Sequence, residues 1–186
     1  MEAEILPQVH FQLFNPVLNG LNNLLIPCMI GAPDMAFPKL NAAAFWLVPV
    51  FGVILMVSFL VPGGPASSGW WSYPPVSLQN PLGHLINGEA LWILAVALSG
   101  ISSIMGAVNF VTTILRMRAP GMTLGRMPIF CWTAFSAQTI QLIGLPALTG
   151  GAVMLLFDLV VGTSFYRPEG GGDPVLSRTL RVAGSM

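Results

Sequence analysis

Long uncharged runs interrupted by short charged or turn-forming stretches dominate the pattern along this chain. Leu40 to Val61 holds 22 residues whose only strongly polar members are Asn41 and Ser58, and such a run reaches about 33 Å as an α-helix, enough to cross a bilayer. Ala90 to Leu115 is uncharged for 26 residues and Met127 to Phe157 for 31. Pro128 and Pro146 are expected to trim or kink the last of these. The spans are therefore placed at 40–61, 90–115 and 127–157. A fourth run, 9–30, carries Gln12, Asn15, Asn19, Asn22 and Asn23, so it is a weak lipid-facing helix that spans only if its amides face other protein. The expected fold is all-α: three transmembrane helices plus one partial or weak N-terminal helix, in a single membrane region over 1–186.

The stretch 62–89 is rich in Gly, Pro and Ser and has no Lys or Arg, whereas Lys39, Arg116, Arg118 and Arg126 bracket the spans. Basic loops stay on the cytoplasmic side, which puts 31–39 and 116–126 inside and 62–89 outside. The tail 158–186 then falls outside. Its Arg167, Arg178 and Arg181 run against that rule, partly offset by Asp158, Glu169 and Asp173. Asp173 before Pro174 reads as the N-cap and first residue of a new helix.

Composition agrees with a membrane protein: of 186 residues 54% are hydrophobic and 8% charged, with mean hydropathy +0.76. Seven basic residues balance seven acidic ones, which leaves no basic surface for nucleic acid. The N-terminus lacks the positive charge and small-residue cleavage site of a secretory signal. Cys28 and Cys131 lie in apolar runs without metal-ligand spacing, so both read as small buried hydrophobes.

Candidate chemistry is sparse. Ser99, Ser102, Ser103, Gly106, Asn109, Phe110 and Thr113 recur at intervals of three and four, which lines one face of the second span. That face suits either close helix packing through small residues or a water and proton path, and Gln138 and Gln141 allow the same two readings. Asp34 by itself is a turn or N-cap residue. Trp70, Trp71 and Tyr73 fit an interfacial aromatic belt. The glycines 170–172 lack the GK and Ser or Thr of a phosphate loop.

Four stretches, IGAPDMAFPKLNAAAFWLVP (30–49), SFLVPGGPASSGWWSYPP (58–75), SGISSIMGAVNFVTTI (99–114) and RPEGGGDPVL (167–176), together resemble subunit I of cytochrome c oxidase, in the haem-copper oxidase family, in family order and spacing. The resemblance implies part of a twelve-helix bundle, from the end of its second helix to the approach of its sixth. It also implies electron transfer from cytochrome c to dioxygen with proton pumping, in an energy-transducing membrane, with lipid, other oxidase subunits or the rest of subunit I, and cytochrome c as partners. By resemblance Asp34 is the carboxylate at the inner mouth of a proton channel, Asn23, Asn41, Ser102, Ser103 and Asn109 line it with water, and Trp70 and Tyr73 belong to a loop covering the haem propionates.

Haem and copper are implied as well, through six histidines, whereas this chain has His10 and His84. Neither occupies a ligand position: the second-helix ligand falls near Glu4, and after Leu176 the sequence SRTLRVAGSM replaces the family's YQH. Imidazole nitrogen is the donor these metals require. The isolated chain is thus expected to be inactive, and a helical membrane anchor or assembly partner is the alternative.

Overall fold

The computed structural model describes residues 17, 19–61, 66 and 87–184. Residues 9–16, most of 62–86, and with them His10, Trp70, Trp71, Tyr73 and His84, lie outside the described residues. The elements are α1 (19–30), α2 (Pro38–Leu60), α3 (Gly88–Arg116), α4 (Ile129–Val160) and α5 (Pro174–Gly184), with 3₁₀ turns at Leu124–Arg126 and Pro168–Gly170. Three of them, α2, α3 and α4, are long and apolar enough to cross a membrane. Much of their surface is apolar and exposed, including Trp46, Val53 and Met56 on α2 and Ile140 and Ile143 on α4. Such faces are stable against lipid or further helices, not water.

The element ends follow from capping. The α1 helix stops at Gly31, whose φ of 70° is left-handed, and the Ala32 N–H donates back to the Pro27 carbonyl at 2.9 Å, the six-to-one closure of a glycine-terminated helix. At the start of α3, Asn87 accepts the Glu89 N–H at 3.1 Å, so the helix begins two residues before the apolar run that announces it. Pro128 lies just before α4, where its missing N–H costs nothing, while Pro49 and Pro146 sit inside continuous helices. A bilayer tolerates such prolines where the freed carbonyl finds another donor. As expected, Asp173 caps α5, accepting the Val175 N–H at 2.8 Å.

Contacts divide the chain into two units, 1–46 with 102–143 and 47–101 with 144–186. In the first, Ile26 and Ile30 of α1, Met35, Phe110 and Ile114 of α3, and Cys131 and Ala134 of α4 form the core. Isoleucines four apart share a helix face, and Cys28, two residues from each, points the other way. Cys28 is accordingly exposed, against the expectation that both cysteines are buried; Cys131 is buried.

In the second unit, Trp92 and Ile93 of α3, Leu155 and Leu159 of α4, and Tyr166 form the core. There Gly100 lies against Thr149, whose side chain occupies the space a Cβ on residue 100 would need. Close approach through a glycine is a usual way for membrane helices to pack. The α4 helix runs three residues beyond the expected 157, and that extension draws Asp158 inside it.

Candidate functional site

From Ser102 to Thr113 the small and polar stripe of α3 lies in the first unit. Asn109 and Thr113 are fully buried and Ser102 nearly so, which agrees with a face not meant for lipid. Two of these side chains hold the segment between α1 and α2. The Phe37 N–H donates to Asn109 Oδ1 at 2.9 Å, and the Ala36 N–H donates to Thr113 Oγ1 at 2.9 Å. Thr113 in turn donates to the Asn109 carbonyl at 2.7 Å. Residues 36 and 37 precede a helix whose first N–H groups lack internal partners, and acceptors on α3 satisfy these donors.

Asp34 sits one turn before these anchors, exposed, with Oδ1 accepting the Met35 N–H at 2.7 Å. That bond is the turn role expected of the residue alone, and the same placement leaves the carboxylate accessible. Ser102 Oγ donates to the Ala44 carbonyl of α2 at 2.7 Å, tying α2 to the stripe. Asn41 and Ser103 are half-buried. Gln138 is buried and Gln141 half-buried.

Asn109 uses only its oxygen. Its Nδ2 is buried with no hydrogen-bond partner, and so is the Oδ1 of Asn23 on α1. A buried donor or acceptor left bare costs about 1–3 kcal/mol, and internal water is the usual remedy in a polar site. Asn23 therefore behaves as its weak helix requires, with its amide turned into protein. Thr113 joins the site through its bond to Ala36, a role for which its place on the stripe is the sequence signal.

In the second unit Asp158 belongs to α4 and not to the outer tail in which the sequence pattern places it. Asp158 is fully buried. Its Oδ1 accepts the Thr163 hydroxyl at 2.5 Å and the Phe165 N–H at 2.9 Å, and its Oδ2 accepts the Tyr166 N–H at 2.7 Å. Three donors converging on one carboxylate stabilise a charge that could not otherwise be buried. The sequence signal was an acid abutting an apolar run, with Thr five residues on. The glycine tract packs on the same turn: a Cβ at Gly172 would collide with the Ser164 carbonyl and one at Gly170 with the Ser164 side chain. Close approach to Ser164 at Gly170 and Gly172, and a left-handed φ of 85° at Gly171, account for those glycines.

No group of three His, Cys, Asp or Glu able to hold a metal occurs among the described residues, and no histidine is among them. The described residues by themselves thus offer no donor set for haem or copper.

Comparison with known proteins gives the arrangement its context. Residues 8–183 match the family model of cytochrome c and quinol oxidase polypeptide I. The chain is similar to cytochrome c oxidase subunit 1 of a Synechocystis strain, 51% identical over 85% of this chain and 28% of that protein. It is similar to the same subunit of Thermostichus vulcanus, 46% identical over 88% and 28% of the respective lengths, and of Cereibacter sphaeroides, 44% over 89% and 29%. The chain thus spans between a quarter and a third of the relatives it matches, as the resemblance to part of a larger bundle implied. An integral membrane protein with three spanning helices and this match over nearly its whole length belongs to the cytochrome c and quinol oxidase polypeptide I family.

Proposed function

We propose that these residues form the part of a cytochrome c oxidase subunit I that takes up protons, with Asp34 as the entry carboxylate and Asn23, Asn41, Ser102, Ser103 and Asn109 as the lining of a water-filled path. The observation that carries this reading is the pair of bare amide atoms, Asn23 Oδ1 and Asn109 Nδ2, buried in the unit whose exposed acid is Asp34. Ordered water satisfies such atoms, and uncharged amides and hydroxyls hold water in a low-dielectric bundle without the cost of a buried ion. The anchoring of residues 36 and 37 on Thr113 and Asn109, two and three residues after Asp34, supports this reading.

In the parent reaction, electrons from cytochrome c reduce dioxygen and protons are pumped. Among the described residues no group could hold a metal, and on this reading the segment contributes proton handling and helix packing, with the haem and copper ligands supplied by the rest of a complete subunit. Trp70 and Tyr73 belong, on the same reading, to the loop over the haem propionates of a complete subunit.

The test is Asp34→Asn in an oxidase completed by the rest of the subunit. Proton uptake should slow by at least about tenfold, since one general acid–base group contributes on that scale or more, while the assembled complex forms normally. Pumping and turnover at the parental rate would remove Asp34 from the path and leave it a turn residue. A separate measurement addresses the metals: a stoichiometric low-spin haem spectrum from the purified 186-residue chain, lost on mutating His10 or His84, would contradict the assignment.

A further inference from the structure

We infer that α5 is an interfacial helix, with its apolar side on the acyl-chain boundary at the C-terminal end of α4 and its basic side among anionic phospholipid headgroups. Helical spacing divides α5 into two sides. Val175, Leu176, Thr179, Leu180 and Val182 recur at intervals of three, four and seven on one of them, and positions 177, 178 and 181, a serine and two arginines, occupy the other. Such a division is the pattern of a helix that lies in a membrane surface.

The packing of Leu180 sets the depth of this helix. Leu180 is half-buried against α4, where its Cβ and Cδ1 both lie 3.5 Å from the position a Cβ on Gly151 would take. Gly151 comes nine residues before the end of α4 at Val160, or about 14 Å along the helix axis. With 32 residues α4 is about 48 Å long against a hydrocarbon core of about 30 Å, so about 9 Å lies beyond the core at each end of a centred helix. Leu180 therefore meets α4 about 5 Å inside the hydrocarbon boundary, and the apolar side of an interfacial helix reaches about 5–10 Å.

Much of the apolar side is exposed. Val175 is 62%, Val182 49% and Leu176 40% exposed, and Thr179 between them is exposed as well. Contiguous apolar surface of this kind is not stable against water. Arg178 is exposed on the same two turns, and a guanidinium facing the hydrocarbon core is costly. A helix lying in the interface meets both demands, with Val175 and Leu176 against acyl chains and Arg178 in the headgroup layer.

Charge selects the lipid. After α4 the chain carries Arg167, Arg178 and Arg181 against Glu169 and Asp173, and Asp173 is engaged as the cap of α5, accepting the Val175 N–H at 2.8 Å. A basic side chain at a bilayer surface is drawn to anionic headgroups. These arginines are the ones that run against the charge rule along the sequence, and the headgroups supply their counter-charge. The inference does not depend on the proton-path reading.

The experiment places a nitroxide on Thr179→Cys of the full chain, in a Cys28→Ala background because Cys28 is exposed and Cys131 buried. The protein is reconstituted in nanodiscs of phosphatidylcholine, or of phosphatidylcholine and phosphatidylglycerol in equal parts. The label should collide more often with oxygen dissolved in lipid than with an aqueous nickel chelate. Its ratio of lipid-contacting to water-exposed spectral components should rise with phosphatidylglycerol. Arg178→Gln should lower that ratio about fivefold, the scale of one basic side chain at an anionic surface, and Arg178→Lys, which keeps the charge, should leave it near the parental value. Where circular dichroism shows that the Thr179→Cys chain has lost helix, Val175→Cys carries the same test. A label open to the nickel chelate in both lipids would overturn the proposal. So would a label shielded from both reagents, which would put protein on that side of α5, or a ratio indifferent to both phosphatidylglycerol and Arg178→Gln.

Discussion

Two short non-helical segments, 34–37 in the first unit and 163–166 in the second, solve the same problem with opposite chemistry. Each leaves backbone N–H groups beside a membrane-spanning helix, where no neighbouring strand or turn can accept them. In the first, neutral side chains of α3 do so, Asn109 for Phe37 and Thr113 for Ala36. In the second, the Asp158 carboxylate of α4 receives Phe165, Tyr166 and the Thr163 hydroxyl. The difference lies in what remains. Asp158 has both oxygens engaged, whereas Asn109 keeps a buried Nδ2 with no protein partner. A fully engaged acid is architecture; a half-used amide still has a hydrogen bond to make.

The comparison breaks most readily at Asp158. Asp158→Asn swaps one acceptor oxygen for an NH₂ facing a donor, and the chain should lose about 3 kcal/mol of stability. Proteolysis should then open at 161–167 first, and unchanged resistance there would mean that the turn holds without the charge. Gly172→Ala presses a methyl group on the Ser164 carbonyl, and overpacking against backbone should cost about 2 kcal/mol in a denaturant titration of the detergent-solubilised chain. Parental stability would show that the loop relaxes freely. In the first unit, Thr113→Val removes the acceptor for the Ala36 N–H and should cost about 1 kcal/mol, a neutral hydrogen bond being worth less than a charged one. A loss equal to that of Asp158→Asn would erase the distinction. Asp34→Asn should change stability by no more than about 0.5 kcal/mol, since the residue is exposed and an amide oxygen can still accept the Met35 N–H. The same titration measures it, and a larger loss would give Asp34 an architectural role like that of Asp158.

How much of this was legible beforehand depends on the length scale of the signal. Three spans were readable because tens of apolar residues in a row dictate a helix that buries its own backbone bonds. The polar stripe on α3 was readable from spacing, as was the Asp173 cap of α5. Boundaries drifted by two or three residues where caps decided them: Asn87 starts α3 early, and α4 continues to Val160. That drift matters at Asp158, which was placed in the outer tail because an acid beside an apolar run resembles a span boundary. Cys28 was read as buried because apolar context does not say which face of a lone helix is covered. Of the candidate site, Asp34, Asn23 and Asn109 follow from the family resemblance, whereas their hydrogen-bond partners do not.

The sequence by itself determined that this chain is a bundle of membrane helices, the family it belongs to, and the scarcity of imidazole donors. Those properties reside in composition, in runs longer than any loop, and in specific motifs such as IGAPDMAFP and GGGDP. Only the tertiary structure decided which polar atoms are used and which are left over. A hydrogen bond such as Phe37 N–H to Asn109 joins residues 72 positions apart, and its existence depends on helix rotation and distances of a few tenths of an ångström that no local pattern of apolar and polar residues encodes.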